Sequence, residues 1–109
     1  MTRRHIQLLY LPDCPNYQPT RKLIEQTANE LGIELDLELI AIDDEESAHR
    51  LHFLGSPTVR VDGDDIEPDA LDGTDVALSC RIYRSERGAR GYPDRTLLQT
   101  ALRRGGVAE

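Results

Sequence analysis

At 109 residues the chain has room for one modest hydrophobic core, so it reads as a single domain over residues 1–109. A net charge of −7 and a pI near 4.9 leave no general positive face, which argues against broad nucleic-acid or membrane-surface binding. No apolar run approaches the roughly 20 residues of a membrane helix, and the apolar stretch after Met1-Thr2-Arg3-Arg4-His5 is too short for a signal peptide. The expected compartment is therefore the cytoplasm, where a pair of cysteines is kept reduced or is in catalytic use.

With no tryptophan and one phenylalanine, Leu, Ile and Val must fill most of the core. His5 to Leu11 is apolar enough for a strand buried on both faces, and Pro12 stops it. Pro15 suits the first turn of a helix, since the N–H it lacks would have no partner there. Leu23, Ile24, Thr27, Ala28 and Leu31 then recur at helical spacing up to a glycine cap at Gly32. From Ile33 to Leu39 apolar and acidic residues alternate, which predicts a half-buried strand near a sheet edge.

Asp43 and Asp44 are caps for a second helix, Glu45 and Glu46 suit its first turn, Ala48, Leu51 and Leu54 line its inner face, and Gly55 ends it. Ser56-Pro57-Thr58-Val59-Arg60-Val61 reads as a strand opened by a proline, and Asp62-Gly63 as a tight turn returning through Asp64 to Ile66. Pro93-Asp94 opens a last helix with Leu97, Leu98, Ala101 and Leu102 on one face, stopped by Gly105-Gly106. Between the hairpin and that helix, Glu67 to Tyr92 is polar apart from Val76 to Tyr83, a candidate short strand inside an insertion. The order β-α-β-α-β-β-α describes an α/β sandwich on a central mixed sheet, its first two strands parallel and joined by a right-handed crossover.

Acid is concentrated at Asp43 to Glu46 and Asp62 to Asp75, runs that read as solvated surface. Arginine is concentrated late, at Arg81, Arg84, Arg87, Arg90 and Arg95; such a group either binds an anion or serves solubility and local ion pairs. His5, His49 and His52 are not at ligand spacing with either cysteine and read as surface residues. No phosphate loop, Ser-His-Asp set or paired-carboxylate motif is present, so no cofactor is implied.

Chemistry is carried by the cysteines. Cys14 stands where the first strand gives way to the first helix, and a helix start favours the thiolate, the form that attacks disulfides and binds soft metals. Asp13 and the net charge oppose that pull. Two anchors, Cys14-Pro15-Asn16-Tyr17 and Ser56-Pro57-Thr58, together with the order of elements, resemble the thioredoxin superfamily: the former lies at the place of its Cys-x-x-Cys, and the latter is similar to its cis-proline loop. A narrower resemblance adds Ser79-Cys80-Arg81-Ile82-Tyr83-Arg84 and Gly91-Tyr92-Pro93, as in small bacterial and archaeal thioredoxin-like proteins, some loosely labelled alkylmercury lyase.

The resemblance implies a thioredoxin-like α/β sandwich with an inserted segment before the last helix, a cis bond at Ser56–Pro57, and a Ser56 backbone beside Cys14 to which a substrate strand can hydrogen-bond. It also implies thiol–disulfide exchange with Cys14 as the attacking thiolate, and Ser56, Pro57, Thr58 and Tyr17 around the substrate. Tyr17 replaces the second cysteine of a dithiol motif, so a mixed disulfide on Cys14 must be released by another thiol. Cys80, a small thiol, a disulfide-bearing protein partner or a buried role for Cys80 all remain open. The rival functions are capture of a soft metal or organomercurial by Cys14 and Cys80, and an interaction module with no active thiol.

Overall fold

Two nine-residue strands, β1 (Thr2–Tyr10) and β2 (Ile33–Ala41), pair in parallel from Thr2↔Ile33 to Tyr10↔Ala41. The computed structural model that shows them describes residues 2–66, 81, 83–85 and 88–104. Helix α1 (Tyr17–Leu31) connects the two strands and ends on Gly32. At φ 69° Gly32 occupies the left-handed region, and its N–H returns to the carbonyls of Ala28 and Asn29. Helix α2 (Glu45–Arg50) leads to β3 (Thr58–Val61), which runs antiparallel to β1 and pairs with the short β4 (Asp64–Asp65). A separate hairpin of β5 (Tyr83–Ser85) and β6 (Gly88–Arg90) precedes helix α3 (Arg95–Arg104). Among the described residues the chain is thus an α/β protein with a mixed four-stranded sheet, in the order β2-β1-β3-β4, and three helices.

Side-chain alternation along β1 sets the layers. Ile6 and Leu8 point to the face where Ile24 and Ala28 of α1 and Leu98, Ala101 and Leu102 of α3 pack with Val59, Val61, Ile66 and Tyr83. Leu9 points the other way, to a smaller cluster with Ile42, Ala48 and Phe53. Fully burying one such aliphatic or aromatic side chain contributes roughly 1.5–3 kcal/mol. Among the described residues, eleven buried residues against four make the α1/α3 face the larger source of stability.

Among the described residues, the second face of β1 is covered only at its end, because α2 is six residues long. His5 and Gln7, expected inside, are partly exposed and polar on that face: the His5 ring nitrogens lie 3.2 Å from Asp36 and 3.2 Å from Glu38. The β2 alternation breaks for the same reason. Leu39 is 36% exposed, while Ile40 turns into the small cluster.

The helix ends differ from the sequence reading in instructive ways. Asp44 caps α2, accepting the Ser47 N–H at 2.8 Å, a bond that holds its carboxyl below the usual range. The stop comes at His52 instead of Gly55. Phe53 N–H reaches back to Ala48 O and His52 N–H to His49 O, with His52 left-handed at φ 54°. That is the Schellman arrangement with histidine in the place usually held by glycine. At the far end of α3, Arg4 donates to the carbonyls of Leu102 and Arg103, supplying partners for orphan acceptors. Gly105-Gly106 lies outside the described residues. Asp62 and Gly63, at φ 50° and 94°, form the two central positions of the tight turn between β3 and β4, as their pairing predicts. No described helix is long and apolar enough to cross a membrane.

Candidate functional site

Cys14 is the hinge of two successive turns. Its N–H donates to Leu11 O at 2.9 Å, and its carbonyl accepts the Tyr17 N–H at 3.4 Å. Pro12 and Pro15 each occupy the second position of one of these turns, where the fixed proline φ is preorganised. For this reason α1 begins at Tyr17, with Asn16 as its cap, and not at Pro15. The correction matters for the thiol, which lies two residues ahead of the cap, whereas the influence of the helix end is concentrated in the first turn. Cys14 is a free thiol, partly exposed.

Around the thiol turn the chain is well braced. Thr20 donates both its N–H and its hydroxyl to Asn16 O. Tyr17, the first helical residue, stacks on Tyr10, the last residue of β1, with ring centroids 3.9 Å apart and planes inclined by 7°. Burial and the neighbouring Tyr17 push the Tyr10 hydroxyl above the usual tyrosine range. Gly91 lies close against Asn16: a Cβ there would require the Asn16 side-chain amide to shift. The segment before α3 is thereby brought against the start of α1.

The second anchor is joined to the first through two hydrogen bonds. Leu11 N–H donates to Ser56 Oγ at 3.0 Å, and Leu11 O accepts from Cys14 N–H. The Ser56–Pro57 peptide bond is cis. Ser56 and Thr58 are 0% exposed and Pro57 is buried, so this loop lies beneath the surface.

The polar groups of the loop are engaged from within the chain. Ser56 O accepts Arg81 N–H at 2.8 Å. Pro57 O accepts the Tyr83 hydroxyl at 2.5 Å. The Thr58 hydroxyl donates to Gly55 O and receives Arg81 Nη1 at 3.4 Å. The Ser56 carbonyl, expected to face an incoming strand, is paired with residue 81 instead.

Arg81 is held in turn by Asp65, in a two-point ion pair of 2.8 Å and 2.8 Å, and stands 4.6 Å above the Tyr83 ring. Arg60 completes this polar cluster: burial lowers its proton affinity, Asp65 partly restores it and Arg81 lowers it further. Two sequence readings change here. Asp65 belongs to an acidic run read as solvated surface, yet it is buried; Arg81 belongs to the arginine group read as anion-binding or solubilising, yet its guanidinium is committed to Asp65. Arg95 forms a surface pair with Glu30 at 3.5 Å. Arg87 and Cys80 lie outside the described residues, as does Val76 to Ser79, and only the backbone is described at Arg84 and Arg90.

Tyr10, Asp65, Arg81, Tyr83 and Gly91 are thus the contributors missed as a set. The available signals were an aromatic at the end of β1, an acid in a hairpin strand, and the Gly91-Tyr92-Pro93 run. Among the described residues no group of three or more His, Cys, Asp or Glu side chains is arranged to hold a metal ion. Comparison with family models, curated proteins and solved structures finds no match for the chain.

Proposed function

We propose that the chain is a thioredoxin-like domain acting in thiol–disulfide exchange, with Cys14 as the attacking thiolate. The observation that carries the reading is the setting of Cys14: a partly exposed free thiol in the turn between β1 and α1, linked through Leu11 to the buried Ser56-Pro57-Thr58 loop. The parallel β1/β2 pair around α1 and the antiparallel β3 that follows the proline support the arrangement.

In the proposed cycle Cys14 Sγ attacks one sulfur of a disulfide RSSR. A mixed disulfide Cys14–S–SR forms, RS⁻ leaves, and solvent protonates it. Cys80 then attacks Cys14 Sγ, releasing the second RS⁻ and leaving a Cys14–Cys80 disulfide. An external dithiol donates two electrons and two protons to restore both thiols. What supports Cys80 in the resolving role is its neighbour in the chain, since Arg81 N–H is bonded to Ser56. Tyr17, whose N–H meets the Cys14 carbonyl, is the side chain proposed to border the substrate.

The test is disulfide reduction with dithiothreitol as donor. Cys14→Ser is expected to abolish catalysis, and unchanged turnover in that variant refutes the reading. Mild oxidation followed by peptide mapping is expected to find Cys14 joined to Cys80.

A further inference from the structure

We infer that the protein acts on small-molecule disulfides and excludes extended polypeptide substrates, because residues 81 and 83 seal the loop on which a substrate strand would pair. This rests on the thiol-exchange reading of Cys14 and adds its substrate class. A polypeptide held as an added strand needs accessible main-chain acceptors and donors beside the reacting thiol. Here Ser56 O already accepts Arg81 N–H at 2.8 Å and Pro57 O accepts the Tyr83 hydroxyl at 2.5 Å. Ser56 and Thr58 are 0% exposed.

The seal is anchored independently of those two bonds. Arg81 is fastened to Asp65 by the paired 2.8 Å contacts, and Tyr83 belongs to the principal core. Displacing it means uncovering a buried cation, so an incoming strand gains nothing by competing for Ser56. A small disulfide needs none of these groups. It requires access to one sulfur, and Cys14 is partly exposed in a turn outside the sealed loop.

The chemistry is the cycle above with R a small organic group: Cys14 attacks one sulfur of RSSR and expels the other as RS⁻, the resolving thiol then displaces the RS group held on Cys14, two RSH are released, and an external dithiol returns two electrons and two protons.

The experiment uses the full chain with dithiothreitol, comparing bis(2-hydroxyethyl) disulfide with insulin, each expressed as acceleration over the uncatalysed reaction. The expected result is an acceleration at least about tenfold greater for the small disulfide, the scale of losing backbone bonds to the substrate. Tyr83→Phe, which removes the bond to Pro57 O, is expected to narrow that ratio by raising the insulin rate. Amide exchange in the unmodified protein supplies a readout independent of turnover, with the Arg81 N–H strongly protected. Insulin accelerated as much as the small disulfide, or a freely exchanging Arg81 amide, overturns the sealed-loop assignment and leaves the thiol reading standing. Acceleration of neither substrate overturns the thiol reading, and this inference with it.

Discussion

Asp65→Ala is the perturbation that tests the site's scaffold most directly. The Arg81 and Asp65 side chains are 7% and 2% exposed and meet through two contacts of 2.8 Å, so water screens the pair very little. Removing the carboxylate strands a buried guanidinium near a second one, that of Arg60, and breaking such a pair from one side costs about 3–5 kcal/mol. Against a total stability of roughly 5–15 kcal/mol for a domain, that is a large fraction. With a urea slope of about 1–3 kcal/mol/M, the midpoint is expected to fall by about 2 M, with the slope itself unchanged. Far-ultraviolet circular dichroism is the suitable signal, since the chain has no tryptophan. Replacing both partners by apolar residues, Asp65→Leu with Arg81→Met, is expected to recover most of the loss. Exchange of the Arg81 amide should accelerate in Asp65→Ala more than exchange of Leu8, because the damage begins at the seal and not in the sheet. A loss below about 1 kcal/mol, the range of an exposed pair, refutes the argument; so does a double variant that simply adds the two single losses.

Two further outcomes follow from the backbone and from titration. His52 is a non-glycine residue in the left-handed region at φ 54°, and the bond its carbonyl accepts from Arg60 involves only main chain on its side. Relieving that conformation, less the greater unfolded-state freedom of glycine, leaves His52→Gly more stable by about 0.5–1 kcal/mol, and a lower urea midpoint contradicts this. The Asp36 hydrogen bond raises His5 above its usual value; desolvation opposes it, and the charge of Asp36 and the contact with Glu38 add to the rise. A raised folded-state value means that the contribution of protonated His5 is fully present below about pH 6.5 and is lost as pH rises through the higher folded value. The difference in urea midpoint between the unmodified protein and His5→Gln should therefore be largest at acidic pH and fade above neutrality, and a difference that grows with pH excludes it.

Elements governed by local chemistry were legible in the sequence. Gly32 stops α1, Asp44 starts α2, and Asp62-Gly63 folds the hairpin, because each depends on the conformational preference or hydrogen bonding of one or two residues. The misplaced boundaries are those where a neighbour outweighed the local preference. Pro15 is acceptable at a helix's first turn, but Pro12 and Pro15 together generate two turns around Cys14 and delay the helix to Tyr17. Gly55 is the better cap by residue type, yet Phe53 must reach the cluster of Leu9, Ile42 and Ala48, and the chain turns at His52 to deliver it. Thr2 to Arg4 reads as a charged terminus and is strand, because the register continues to Ile33 and Arg4 finds the end of α3.

The site itself divides along the same line. Cys14 and Pro57 were visible because a thiol before a helix and a proline before a strand are local signals. Their environment was not, because it depends on what residues distant in sequence do with their hydrogen bonds. Arg81 illustrates why. As one of several arginines in a polar segment it suggests an anion-binding surface, but its main-chain N–H, its guanidinium and its position over Tyr83 are all directed inward, to Ser56, Asp65 and the ring. An acid read as surface, Asp65, is what makes that burial affordable for a cation. Once those two are paired, residue 81 becomes a fixed edge beside the proline loop, and under the thiol-exchange role proposed for Cys14 the question shifts from which strand it binds to which disulfide is small enough to reach it without one.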